Sequence, residues 1–211
     1  MPFKDLYIMP HEEDAKIVFL TGVYGHYIPA GEKVELDLGC GSGSYTCQLA
    51  KLYPKTTVLA ADEMLGRLRK VVRRAERCGA DNLTVLRVEA RSLLAKMLPD
   101  SSLDRVHLLC PDPWPKGRHR GNRLLASNFV TFLHRVLKED GIFHFSSDDE
   151  YYCGAVDRVI SGSKLFEVAD EAIADLKGIR SDFEERWIAE GKTVLHRAWR
   201  KLPLPPHTIG H

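Results

Sequence analysis

Between Val34 and Ser146, short β-branched or leucine-rich runs alternate with stretches whose apolar residues recur at helical spacing. The runs Val34–Leu38, Thr57–Ala61, Leu83–Val88, Asp104–Cys110 and Ile142–Ser146 predict strands. The stretches Tyr45–Tyr53, Leu65–Cys78, Ser92–Met97, Asn128–Leu137 and Tyr151–Ser161 predict helices. Strands that are apolar on both faces, joined through helices, make a mostly parallel, doubly wound α/β sheet. A short helix at Asp182–Glu190 and a last run, Val194–Trp199, predict an antiparallel edge strand near the C-terminus. Residues 1–33 show no clear period, residues 34–201 form one domain, and residues 202–211, with three prolines, read as a loose tail.

Composition narrows the class. A chain of 211 residues, 44% hydrophobic and 28% charged, can bury one sizeable core. Thirty Lys and Arg against twenty-nine acids leave a net charge of +1, so any nucleic-acid surface must be local. No apolar stretch approaches the ~18 residues of a membrane span. Lys4, Asp5, Glu12, Glu13 and Asp14 leave no signal-peptide core, and a cytoplasmic protein is expected. Cys40, Cys47, Cys78, Cys110 and Cys153 are scattered without a C-x-x-C pair, and the nine histidines are dispersed, so neither a disulfide framework nor a metal site is expected.

The first strand runs into Asp37-Leu-Gly39-Cys-Gly41-Ser-Gly43. Glycines at a strand-to-helix turn let backbone approach a ligand closely. A dinucleotide fingerprint needs glycine at position 44, where this chain has Ser44. An acid two residues before the first glycine is instead the spacing of S-adenosylmethionine enzymes, in which it faces the cationic methionine portion. Asp62 ends the second strand, placed to accept ribose hydroxyls or to cap the next helix. Glu89 ends the third, placed to contact an adenine amine or to stand as a solvated charge before Ser92.

The fourth strand empties into Pro111-Asp-Pro-Trp-Pro-Lys-Gly-Arg-His-Arg120. Three prolines in five residues fix φ and remove donors, so the loop leaves the sheet in one restricted shape that displays Asp112 and Trp114. With Asp37–Gly43, Lys116, Arg118-His119, Ser147-Asp148, and Ser181-Asp-Phe-Glu184 followed by Arg186, the chain resembles the tRNA (guanine-N7-)-methyltransferases. The likeness runs from about Val34 to Lys201 and implies a Rossmann-like class I methyltransferase domain over 34–201. It implies S-adenosylmethionine as cofactor, held by Asp37, Gly39, Gly41, Gly43, Asp62, Glu89 and Asp112. It implies tRNA as substrate, met by Trp114, Lys116, Arg118, His119, Asp148, Ser181, Asp182, Phe183, Glu184 and Arg186, with Asp112 catalytic. N7 of guanine has a lone pair and no proton, so the chemistry asks for positioning and for charge stabilisation by Asp112 and Asp148 rather than for a strong base.

Each residue also has a plainer role. Ser181-x-x-Glu184 is a capping box, Asp148 fits a helix cap, and Trp114 fits packing under its own loop. Arg67, Arg69, Lys70, Arg73, Arg74 and Arg77 line one helix, more as a solvated face than as an RNA contact. Lys116, Arg118, Arg120 and Arg123 sit where RNA phosphates would pass. Relative to the family, Gly117, Gly121 and Asn122 thin the basic charge, Asp182 stands where lysine is common, Ser147 and Ser181 replace threonines, and Glu89 replaces aspartate. A homo-oligomer or accessory subunit would be one source of the missing charge.

Overall fold

The apolar runs become neighbouring strands of one eight-stranded sheet in a computed structural model that describes residues 11–20, 27–111 and 127–204. In chain order the strands are β1 (Ile17–Phe19), β2 (Val34–Leu38), β3 (Thr57–Asp62), β4 (Leu83–Arg87), β5 (Leu103–Leu109), β6 (Leu137–Ser147), β7 (Phe166–Val168) and β8 (Leu195–Lys201). The helices are α1 (Ser44–Leu52), α2 (Leu65–Cys78), α3 (Ala90–Ser92), α4 (Ser127–Val136), α5 (Glu150–Gly162) and α6 (Asp182–Ala189). Spatially the strands run β1-β4-β3-β2-β5-β6-β8-β7. The first six in that order are parallel; β8 opposes β6, and β7 opposes β8.

The chain winds outward from β2 through β3 to β4, then returns to place β5 on the other flank of β2. That reversal opens a crevice at the C-terminal ends of β2 and β5, the customary ligand position in such sheets. The strands are largely apolar because both faces are covered. The α3, α4 and α5 side buries Leu36, Leu59, Val106, Phe143 and Trp199 with Phe129, Leu133 and Ile160. The α1 and α2 side buries Val58, Ala60 and Val85 with Leu49, Leu68 and Val71.

Three departures from the sequence reading have physical causes. β1 and β7 are three residues each, too short for a period of two to register, and each buries one side chain. The expected edge strand forms as β8, antiparallel as anticipated, but β7 takes the outer position beyond it. The helix expected at Ser92–Met97 is α3 followed by a π turn, Leu93–Met97, whose Leu98 N–H reaches the Leu93 carbonyl at 3.1 Å. The wider turn puts Leu93, Leu94 and Met97 into the core. Residues Glu12–Lys16 and Asp170–Leu176 add 3-10 turns that hydrophobic spacing does not announce.

Among the described residues no helix is long and apolar enough to cross a membrane.

Candidate active site

At the crevice lies a cavity of about 430 Å³. Asp37, Gly39 and Gly41 form its β2 side, Leu109, Cys110 and Pro111 its β5 side, and Ser181, Asp182, Phe183 and Arg186 close it from α6 and the residue before it. Residues remote in sequence thus converge where the topology reverses.

Asp37 is 3% exposed and accepts a hydrogen bond from the Thr46 hydroxyl on α1. Burial pushes its pKa up to about 6, only partly opposed by the Thr46 bond and by His107 nearby. Gly39 and Gly41 have φ of +79° and +57°, a region costly for residues with a side chain. A Cβ on Gly39 would stand in open space, so its absence keeps the cavity wall bare. Gly43 does not face the cavity. It has φ +79°, and a Cβ there would lie 2.9 Å from both Val71 methyl carbons, so it sets the approach of α1 to α2.

Asp62 is buried at the end of β3 but does not cap α2, whose N-cap is Met64. It accepts from Met64 N at 2.8 Å and from Gly41 N at 3.3 Å, which ties it to the glycine loop, with Arg67 3.5 Å away. Glu89 is exposed, as a solvated charge before Ser92 would be, and lies outside the cavity wall. It caps α3, accepting from Arg91 N at 2.8 Å and from Ser92 N and Oγ at 2.7 Å. Burial pushes its pKa up, and these bonds outweigh it, holding the carboxyl below the ordinary glutamate range.

Ser181 caps α6 through Glu184 N at 3.1 Å. Only that half of the capping box forms, because the Glu184 carboxylate turns to His196 Nε2 at 3.1 Å. Glu184 faces a second cavity, of about 720 Å³, shared with His144, His196 and Ile188, while Phe183 and Trp187 on the adjoining face of α6 look into the first. Asp182 accepts from the Ser42 hydroxyl and from Arg74, whose Nη1 and Nη2 lie 3.2 and 3.3 Å from its oxygens, binding the α6 start to the glycine loop and α2. Arg186 lies over the Phe183 ring, 5.4 Å from its centroid. Asp148 is free of capping duty, which Asp149 performs, and pairs with Lys192 at 3.1 Å. Asp112, Trp114, Lys116, Arg118, His119, Arg120 and Arg123 lie outside the described residues.

Sequence reasoning missed Trp187, Tyr45, Ser42 and Cys110 as lining residues. Cys110 adopts φ +50°, a conformation unusual for a side-chain-bearing residue, at the exit from β5. The basic face of α2 is largely answered from within: Arg69 pairs with Asp14, Arg73 with Glu13, and Arg74 with Asp182. Among the described residues no group of three or more His, Cys, Asp or Glu is arranged to hold a metal ion.

Solved structures share the fold. A 16S rRNA methyltransferase, KamB, superposes with TM-score 0.60 at 17% identity, covering 82% of this chain and 89% of its own. A 16S rRNA (adenine(1408)-N(1))-methyltransferase from Catenulisporales acidiphilia gives 0.57 at 19%, covering 83% and 89%. These likenesses identify a class I methyltransferase fold. A family model described as "Putative methyltransferase" matches residues 31–197. The tRNA (guanine-N(7)-)-methyltransferase of Geobacter metallireducens is 33% identical over 185 residues, 86% of each chain. That of Syntrophotalea carbinolica is 33% identical over 203 residues, 95% of this chain and 86% of its own. On this evidence the chain belongs to the tRNA (guanine-N(7)-)-methyltransferase family.

Proposed function

We propose that the protein transfers the methyl group of S-adenosylmethionine to N7 of a guanine in the variable loop of tRNA. The observation that carries this reading is the 33% identity to the Geobacter metallireducens enzyme over 86% of both chains. The cavity at the β2–β5 crevice supports it.

The residues present suit the cofactor. A buried carboxylate with a raised pKa is stabilised by an incoming cation, and the methionine end of S-adenosylmethionine is cationic. About 430 Å³ falls within the ~300–1,000 Å³ of small-molecule sites. Asp37 would hold the cationic end, the bare backbone at Gly39 and Gly41 would admit the ligand, and lone pairs left on Asp62 would accept ribose hydroxyls. Glu89, its oxygens already engaged by three donors, has least capacity left for an adenine amine. When bound, the cofactor supplies a methyl group on a sulfonium centre.

Guanine N7 attacks without losing a proton, so the protein's task is alignment. Positive charge develops on the base, and Asp112 and Asp148 would stabilise it while accepting from guanine N–H groups. The Ser181–Glu184 segment and Arg186 contact the substrate in this reading, and Trp114 stacks on the base. Lys116, Arg118 and His119 would meet the RNA backbone.

The test is incubation of purified protein with methyl-labelled cofactor and tRNA lacking N7-methylguanine, followed by chemical cleavage at N7-methylguanine. One labelled guanine in the variable loop is expected; tRNA left unmodified under conditions that saturate cofactor binding overturns the proposal.

A further inference from the structure

On the α1 side, the centre of the sheet is polar where the opposite side carries leucine and phenylalanine. Glu35 of β2, His107 of β5, His144 of β6 and His196 of β8 stand on four adjacent strands, and Glu184 of α6 ends the row. Glu35 Oε2 lies 3.0 Å from His107 Nε2, and His107 Nδ1 lies 3.1 Å from His144 Nδ1. His144 Nε2 is 2.9 Å from His196 Nδ1, and His196 Nε2 is 3.1 Å from Glu184 Oε1. His107 and His144 are sealed from solvent at 0% and 1% exposure. The reaction outlined above uses none of the three histidines.

Counting hydrogens decides how the row is charged. Its four contacts each need one proton, and three neutral imidazoles bring three. Without a further proton one contact would set acceptor against acceptor. Burial, then the flanking imidazoles, hold the His144 pKa well below the ordinary histidine value, so His144 is neutral and donates from one nitrogen only. With both carboxylates acting only as acceptors, the extra proton belongs to His107 or His196, and the His144 tautomer reports which. At His107 the same Nδ1 also faces the Tyr45 hydroxyl at 3.3 Å, which suits an acceptor there, and Arg105, 3.8 Å from Glu35, already answers that carboxylate. His196 is partly exposed and faces the Glu184 carboxylate directly. The other charged groups sharing its cavity are Arg180, Lys192, Asp170 and Lys177. Of these, Arg180 is 3.7 Å from Glu184 and half exposed, a looser partner than the imidazole.

We propose that His196, bearing the row's extra proton, is a positioning residue: it fixes the Glu184 carboxylate for the RNA substrate, while His144, His107 and Glu35 hold His196 in place. The unfinished capping box fits, since Glu184 gives up the helix terminus to meet His196. This inference rests on the tRNA methyltransferase reading, and its test separates the two.

Imidazole nitrogen NMR of protein labelled with ¹⁵N-histidine reads the row without activity. Expected at neutral pH are a doubly protonated His196 and a neutral His144 with its proton on Nδ1; in Glu184→Gln, His196 loses its second proton. A neutral His196 in the unsubstituted protein, or one unaltered by Glu184→Gln, overturns the proposal. In methylation assays His196→Ala lowers kcat/KM for tRNA by about tenfold, the scale of one charge-assisted hydrogen bond, with cofactor Kd within about twofold. His196→Gln, which can still donate to Glu184, recovers part of the loss. Adding His196→Ala to Glu184→Gln costs nothing more if His196 acts through Glu184; an equal loss in both backgrounds overturns it. A protein that shows the expected spectra yet methylates no tRNA refutes the substrate reading alone.

Discussion

Asp37 and Thr46 share a hydrogen bond that neither side chain exposes to water. The carboxyl pKa is about 6 in the folded protein against an ordinary 3.8, so folding favours the protonated form. Its contribution to stability is whole below pH 3.8 and is lost as pH rises through 6. The difference of about two pH units corresponds to about 3 kcal/mol at pH 8. Asp37→Asn is therefore expected to raise the Tm of cofactor-free protein at pH 8 and to leave it nearly unchanged at pH 3.5. Thermal melts at the two pH values check this, and destabilisation at pH 8 would refute it.

The same carboxyl sets a pH dependence of cofactor affinity. Only the ionised form attracts a cation, so below pH 6 the Kd for S-adenosylmethionine should rise by up to about tenfold per pH unit. Titration calorimetry between pH 5 and pH 8 gives the profile. Asp37→Asn should flatten it and weaken binding throughout.

Gly43→Ala meets two penalties, a left-handed φ and a clash with Val71 at 2.9 Å. Together these are expected to cost about 2–4 kcal/mol. Val71→Ala in the same chain should relieve the clash and leave the backbone cost, so urea unfolding of the two singles and the double should be strongly non-additive.

Asn82 Nδ2 lies within reach of three carbonyls, Ala50 at 3.1 Å, Tyr53 at 3.0 Å and Thr56 at 2.7 Å. One side chain thereby ties the end of α1 to the start of β3. Asn82→Ala should cost about 1–3 kcal/mol by denaturant unfolding, the scale of leaving partly buried acceptors unmet, with no change in cofactor Kd.

Arg69 and Arg73 are answered by Asp14 and Glu13, at 2.7 Å each. Charges neutralised inside the protein release few counterions from RNA. Arg69→Ala with Arg73→Ala is expected to leave the slope of log Kd for tRNA against log salt unchanged within about one unit. Filter binding over a salt series measures it; a slope reduced by two or more would make α2 part of the RNA surface.

The sheet was legible where strands run five or more residues and are rich in β-branched side chains and leucine, because burial on both faces favours such side chains. β1 and β7 escaped, being three residues long. The order of β8 and β7 escaped because pairing between distant segments leaves no local trace. At the site, Asp37 and the glycines were readable from their place between strand and helix. Gly43 was readable as a glycine, not as a packing contact with Val71, which lies in another helix. Glu89 and Asp182 were visible as charges, while their bonds to Ser92 and Arg74 required the fold. The histidine row was hidden by its spread over three strands, although His107 and His144 interrupting apolar runs were a signal of buried polarity.

The reversed direction of β8 separates the two ends of that strand by function. Leu195 pairs with Ser147 at the edge that carries the candidate site, whereas Arg200 pairs with Ile142 toward the opposite rim. The chain beyond Lys201 therefore departs on the back of the molecule, where Leu202 N–H is held by the Leu165 carbonyl at 2.9 Å. A surface tether or fluorophore attached at Leu204 would leave the candidate site open, making that position the place to immobilise the protein for single-molecule work.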